Sequence, residues 1–286
     1  MVIGTFLCYS FDMERKHIVK EGVYIPDTGI TYPDVPTTYL VPAVKLREVR
    51  VDENYPFLDD SPGGKLRSFL VYTACFLFAF PLNKIRYGLK IVGRKNIRKN
   101  RHLLKNGAVT CANHVYRWDF VSILYSLRFR KIWFPVRREH MEGKDAYIIR
   151  GIGGIPISET LAGGRKFNKA FDELNKKKKW IHVFPESCRW DFYQPIRPFK
   201  NGAFTFAVRW NVPVIPMAFS YRKPGLLRRL LGTKHPLITL TIGEPILPNL
   251  SLGRKEALNM LRDETHKSIC SLAGIKENMW DSFISS

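Results

Sequence analysis

Five short segments, 108–112, 131–136, 180–184, 212–219 and 237–242, are apolar and rich in β-branched or aromatic residues. Their length suits buried strands and is too short for helices. Between them the pattern changes. Phe120, Ile123, Leu124 and Leu127, and later Phe167, Ala170, Phe171 and Leu174, recur at i, i+3, i+4 and i+7, the spacing of one helix face. Strands alternating with helices predict an α/β fold, a mixed sheet flanked by helices. Ser158 is expected to cap the second of these helices, residues 203–210 to form a short helix, and 252–272 to form a C-terminal amphipathic one.

Two of the strands end in polar runs. Asn113-His114-Val115-Tyr116-Arg117-Trp118-Asp119 follows the first, and Pro185-Glu186-Ser187-Cys188-Arg189 follows Phe184, with Pro185 stopping the strand. In open α/β sheets ligands bind beyond the carboxyl ends of strands, so both runs are expected to open onto one rim. Residues five apart on one continuous helix point about 140° away from each other. His114 and Asp119 therefore meet only if the histidine lies on the loop and the aspartate opens the helix, a position that suits an acidic side chain. So placed, they form a general-base pair: the imidazole takes a proton from a hydroxyl while the carboxylate fixes its tautomer. No serine or cysteine stands beside His114, so the hydroxyl is expected to be the substrate's. A His-x4-Asp spacing alone is a weak signal, and the second run strengthens it.

With both runs in this order the chain resembles the PlsC-type glycerolipid acyltransferases, lysophosphatidic acid acyltransferases and their relatives. Members carry Asn-His-x4-Asp as a first motif and Phe-Pro-Glu-Gly-x-Arg as a third. Here the third reads Phe184-Pro185-Glu186-Ser187-Cys188-Arg189, with serine at the usual glycine. Gly153-Gly154-Ile155-Pro156-Ile157 resembles the second block and Val212-Pro213-Val214-Ile215-Pro216-Met217-Ala218-Phe219 the fourth. An arginine commonly closes the second block, whereas Ser158 and Glu159 follow it here.

The resemblance implies an O-acyltransferase that moves a fatty acyl group from acyl-CoA or acyl-carrier protein to the hydroxyl of a lysophospholipid acceptor, 1-acylglycerol-3-phosphate first. His114 would be the base and Asp119 its orienting partner. Asn113, Gly154, Ile155, Pro156, Glu186, Ser187 and Arg189 would bind substrate, and Arg197 and Lys200 form a basic pair near Glu186 suited to an anionic acceptor. No metal or cofactor is implied, since the acyl donor is a substrate. The altered second block leaves a glycolipid or aminolipid acceptor as an alternative, and the serine in the third leaves an idle membrane-bound scaffold as another.

Charge bears on the partner. Of the formal +21, residues 1–60 contribute 6 basic and 10 acidic groups, a net −4, and the remainder 40 against 15, a net +25. A field of this sign attracts polyanions, either nucleic acid or anionic membrane lipid. The chain has no zinc finger or RNA-recognition spacing, so no nucleic acid is expected. The 5 cysteines (Cys8, Cys75, Cys111, Cys188 and Cys270) have no paired or metal-ligand spacing, which fits a reducing compartment. Cys188 lies in a motif but reads as a small loop filler, because no histidine pattern activates it.

Three regions are expected. Residues 1–60, punctuated by Pro26, Pro33, Pro36, Pro42 and Pro56, form an extended arm without a secretory leader. Residues 61–95 form an apolar and basic membrane-associating helical segment, and 96–286 the catalytic domain. The 14 apolar residues from Phe69 to Leu82 fall short of the roughly 20 a bilayer span needs. Flanked by Lys65, Arg67, Lys84 and Arg86, they read as a helix sunk in one leaflet, on the cytoplasmic face, peripheral or monotopic. Leu226-Leu227-Arg228-Arg229-Leu230-Leu231 has the look of a lipid-surface turn, and His140 that of a surface residue.

Overall fold

A computed structural model of the chain describes residues 16–40 and 47–281; Cys8 and Pro42 lie outside the described residues. β1 (Ile18–Val19) opens the arm, and α1 (Pro62–Ala74), a π-helical turn (Cys75–Ala79) and α2 (Phe80–Tyr87) then run as one helix. Next come β2 (Lys90–Val92), α3 (Arg94–Lys99), β3 (Ala108–Ala112), α4 (Asp119–Ser126), β4 (Ile132–Val136), α5 (Glu139–Glu142), α6 (Ala146–Gly151) and β5 (Gly154–Pro156). The chain continues through α7 (Leu161–Lys176), β6 (Trp180–Val183), α8 (Gly202–Trp210), β7 (Val214–Arg222), α9 (Leu226–Leu230), β8 (Leu237–Ile242), α10 (Arg254–Ala273) and β9 (Ile275–Glu277).

The main sheet has the order β2-β8-β7-β3-β6-β4-β5. β8 runs antiparallel to β7 and the other pairings are parallel, so the expected mixed sheet flanked by helices is the fold. β3 sits in its middle and alternates between the two faces as a strand must. Val109 and Cys111 pack into one core with Phe171 of α7, Ala207 of α8 and Ile269 of α10. Ala108 and Ala112 face the other core, with Ile123 and Leu124 of α4 and Val71 of α1. Two apolar layers thus hold the sheet from both sides.

Several local expectations change. β2 and α3 occupy the basic stretch between the apolar helix and β3. Thr160, not Ser158, caps α7, accepting from Gly163 N–H at 3.0 Å, because the Ser158 hydroxyl donates to Val51 O at 2.5 Å. The apolar run is also part of a much longer helix, Pro62–Tyr87, of 26 residues. Ser61 caps its start, accepting from Gly64 N–H, Pro62 follows the cap, and Gly88 ends it in the left-handed conformation. The π-turn precedes Pro81, whose missing N–H removes one rung of the α-helical ladder. Lys84 and Arg86 do not interrupt it, because long cationic side chains are good helix formers.

By length and composition this helix is apolar enough to cross a membrane, and only 17% of its most apolar window is buried, which sets it apart from a core helix. It nonetheless lies along the domain at several points. Tyr72 Oη donates to Ile152 O (3.3 Å), Asn83 Nδ2 donates to Ser122 Oγ (2.8 Å), and the Tyr87 ring packs edge-on against Tyr116. Phe69, Phe76, Leu77, Phe78, Leu82 and Ile85 remain exposed.

Beneath the central strands lies a buried histidine. His182 of β6 is fully enclosed, its Nδ1 2.8 Å from Thr110 Oγ1 and its ring edge-on to Phe184. Burial, then the positive charge available to His114, pushes the His182 pKa down to about 3 from 6.5. The unfolded chain binds this proton near pH 6.5 and the folded one only near 3. Stability at this site is therefore full above pH 6.5 and falls by up to about 1.4 kcal/mol per pH unit as acid is added towards pH 3. Chemical denaturation followed across that window is expected to show a shallower acid limb for His182→Asn than for the parent protein.

Candidate active site

β3 and β6 are parallel neighbours in a register that pairs Cys111 with Val183, so the loops leaving their carboxyl ends emerge side by side. His114 lies on the first loop and Asp119 is the first residue of α4. The His114 Nδ1 donates to Asp119 Oδ2, which also accepts the Val115 N–H at 3.3 Å. Asp119 is buried, whereas the His114 side chain keeps 24% exposure. Its ring stacks on Phe184, with centroids 4.2 Å apart and planes within 12°. An imidazole held this way at Nδ1 has its Nε2 available as a proton acceptor.

The second loop fixes the first through its backbone. Glu186 Oε2 accepts the His114 N–H at 2.9 Å, and the Trp190 N–H donates to His114 O at 3.2 Å. Phe192 N–H does the same for Val115 O at 2.7 Å. The Glu186 carboxylate is buried and shares a closed ion pair with Arg197: Oε1 accepts the Arg197 N–H at 2.8 Å, and Oε2 accepts from Nη2 at 2.9 Å. Arg197 is fully buried too, stacked over Trp190, with Nη1 donating to Cys188 Sγ at 2.8 Å.

These positions alter several sequence-based expectations. Glu186 and Arg197, expected at an acceptor headgroup, instead spend their charges on each other, and their bonds position His114. Asn113 is also buried in structural bonds: its Oδ1 accepts the Phe219 N–H at 2.8 Å and its Nδ2 donates to Phe219 O at 3.1 Å, tying β3 to β7. Gly154, Ile155 and Pro156 form β5, the edge strand three places from β3. The glycines there answer to packing. Gly153 has φ +102°, where an added Cβ would meet Ile132 O at 2.3 Å, and one on Gly154 would meet Ile149 Cγ2 at 2.6 Å. Lys200 is exposed, its N–H donating to Pro185 O at 2.9 Å. Ser187 takes φ +66°, the conformation that explains a glycine at this place in the resemblance.

A cationic rim borders the dyad. Arg189 pairs with Asp191 (2.7 Å) and is 29% exposed; Arg137 pairs with Glu139 and lies 4.0 Å from the Tyr39 ring centroid. His140 lies at the surface within range of their charges. Partial desolvation, then the positive charges of His114, Arg137 and Arg189, hold its imidazole below the usual range against the opposing pull of Glu139. Arg137 is thus a site neighbour that sequence pattern alone did not single out.

The arm completes the second loop from outside. Trp190 Nε1 donates to Thr38 O (2.8 Å), Arg197 Nη1 to Pro36 O (3.0 Å), and Tyr32 Oη to Asp191 O (2.7 Å). Tyr32 also stacks on Trp190.

Comparison with known proteins bears on this geometry. Residues 88–220, which contain both loops, match the family model described as Acyltransferase. Residues 88–220 form an acyltransferase-family domain. A segment of 58 residues is 41% identical to acl-2 of Caenorhabditis elegans, named provisionally as a 1-acyl-sn-glycerol-3-phosphate acyltransferase. That match covers 18% of this chain and 20% of the relative, so the chain spans a fifth of the curated relative it matches. The crystal structure of PlsC, the 1-acyl-sn-glycerophosphate acyltransferase of Thermotoga maritima, aligns at 18% identity with a TM-score of 0.45, over 73% of this chain and 94% of that one. The acyltransferase domain thus holds the His114–Asp119 pair and the Glu186 that steadies it. Among the described residues no cluster of metal-ligand type is present.

Two substitutions separate structural from ligand roles in the acyltransferase domain. Glu186→Gln leaves the buried Arg197 charge uncompensated and is expected to cost about 3–5 kcal/mol of unfolding free energy. Denaturant titration checks this; a residue serving only the acceptor would raise KM and leave unfolding unchanged. Ser187→Gly relieves left-handed strain at a smaller entropic cost and should raise stability by about 0.5–1 kcal/mol, read as a higher Tm.

Proposed function

We propose that the protein is a membrane-associated O-acyltransferase that moves a fatty acyl group from a thioester donor, acyl-CoA or acyl-carrier protein, to the hydroxyl of a lysophospholipid, with 1-acylglycerol-3-phosphate as first acceptor. The observation that carries the reading is the His114–Asp119 pair, locked by Glu186 at adjoining strand ends within an acyltransferase-family domain. His114 Nε2 accepts the acceptor's hydroxyl proton as its oxygen attacks the thioester carbonyl. The buried Asp119 carboxylate keeps the proton on Nδ1 and stabilises the imidazolium that forms. When the tetrahedral intermediate collapses, the carbon–sulfur bond breaks and His114 returns the proton to the departing thiolate.

Arg137 and Arg189 suit the acceptor's phosphate, since both are partly exposed guanidiniums beside the dyad. They offer an anion site without the arginine missing from the second block. The exposed apolar face of the Pro62–Tyr87 helix supports attachment to one leaflet: its near end is held by Asn83 and Tyr87 against the loop and helix that carry the dyad. A helix bonded to the domain along its length suits a monotopic contact better than an isolated span. We further propose that the face so engaged is cytoplasmic, where thioester donors are available.

His114→Ala and Asp119→Asn are each expected to lower turnover by about 10²–10⁴-fold. The measurement is thiol release from acyl-CoA that depends on lysophosphatidic acid, with the diacyl product weighed by mass spectrometry and folding checked by circular dichroism. Near-parental turnover in a folded His114→Ala variant would sink the mechanism. Preference for a lyso-glycolipid or lyso-aminolipid in competition would reassign the acceptor alone.

A further inference from the structure

The short helix α9 is amphipathic in the reverse sense for a loop in water. On a helical turn Leu226, Leu227, Leu230 and Leu231 span an arc of about 140°, with Arg228 and Arg229 on the remaining side. Arg228 faces inward: its Nη1 donates to Ile85 O at 2.8 Å and Arg86 O at 3.3 Å, the last carbonyls of α2. That contact satisfies a helix C-terminus with a cation, and it fixes the rotation of α9. The leucines are consequently turned out, exposed at 65%, 70%, 75% and 76%.

The anchoring point sets this patch beside the C-terminal end of the apolar helix, where Leu82 and Ile85 are themselves 57% and 70% exposed. Isolated exposed leucines are ordinary, but four on one turn continuing an apolar helix face are not. The surrounding charge has one sign. No aspartate or glutamate occurs between residues 61 and 118, or between 192 and 243, the two stretches that contain the apolar helix and α9. Lys84, Arg86, Lys90, Lys223, Arg229 and Lys234 all lie within them.

We infer that α9 is a second membrane contact, its leucines entering the acyl region of an anionic leaflet while the cations around it meet phosphate headgroups. The inference rests on the membrane attachment proposed above and adds a separate point of attachment to it. The partner is a lipid surface because exposed apolar side chains carried on stretches rich in cations and free of acidic residues match the layered chemistry of an anionic bilayer. The contact also lies near the chemistry. His235, just beyond α9, packs on Tyr87 with centroids 4.4 Å apart and stacks on Phe192, whose N–H holds Val115 O in the dyad loop. Two contact points adjoining that column would fix the tilt of the catalytic rim against the leaflet, which one helix alone leaves free to roll.

The test is co-flotation of the purified full-length protein with vesicles of phosphatidylcholine alone or containing phosphatidic acid. The variants are Leu226→Ser/Leu227→Ser/Leu230→Ser/Leu231→Ser, Arg229→Glu, and a comparison set on the long helix, Phe69→Ser/Phe76→Ser/Phe78→Ser. The leucine variant is expected to bind anionic vesicles at least tenfold more weakly and to keep parental turnover on detergent-dispersed substrate. Arg229→Glu should reduce the preference for phosphatidic acid. Parental binding by the leucine variant, beside weakened binding by the long-helix variant, overturns the second contact and leaves the membrane reading intact. No vesicle binding by the parent overturns both. A concentration-dependent dimer that the leucine changes abolish, with flotation unaltered, assigns the patch to self-association and also overturns the inference.

Discussion

One buried carboxylate carries the organisation of this site. Glu186 is enclosed with Arg197 in an ion pair whose charges water does not screen, and the geometry left over is used to hold the backbone N–H of His114. Removing a single partner from such a pair is far more costly than its net worth when intact, so the loop conformation is sharply specified. Because the acceptor is a side chain from the neighbouring strand's loop, the histidine's main chain is set by the sheet register, Cys111 against Val183, and not by its own flexible loop. The imidazole then needs just one further partner, Asp119, and a flat apolar backing, Phe184.

This division of labour separates groups that build the site from groups able to meet a ligand. Asn113, Glu186 and Arg197 are buried and paired with protein. The groups that reach the surface include His114, Arg137, His140 and Arg189, and the two guanidiniums among them form a cationic border beside the acceptor nitrogen. An electropositive rim of this kind raises the local concentration of anionic substrate. It also penalises protonation of His140, since an added positive charge meets those already present.

The dyad and the five strands at the centre of the sheet were legible because their signals are local. An apolar run ending in polar residues, or stopped by Pro185, needs no knowledge of the rest of the chain. The function of Glu186 was not legible, because a carboxylate in a motif reads the same whether it faces a ligand or an arginine 11 residues away. β2 escaped notice for a related reason: three residues beginning with an exposed lysine show too little alternation to register. The apolar run is shorter than the helix that contains it, because a surface helix accommodates Lys84 and Arg86 freely. The arm's contribution left no trace in side-chain pattern, since what it offers Trp190 and Arg197 is the carbonyls of Thr38 and Pro36, groups that every residue possesses.

Those carbonyls have a consequence for assembly. Thr38 and Trp190 are 152 positions apart, and β1 pairs with β9 near the opposite end of the described chain. Contacts so distant in sequence form late, because closing a long loop must precede any gain from it. During synthesis the arm emerges before its partners, so the third-motif loop receives its outer support only once Trp190 and Arg197 have been made. A nascent chain that has already completed its apolar helix would still lack a finished rim around the dyad.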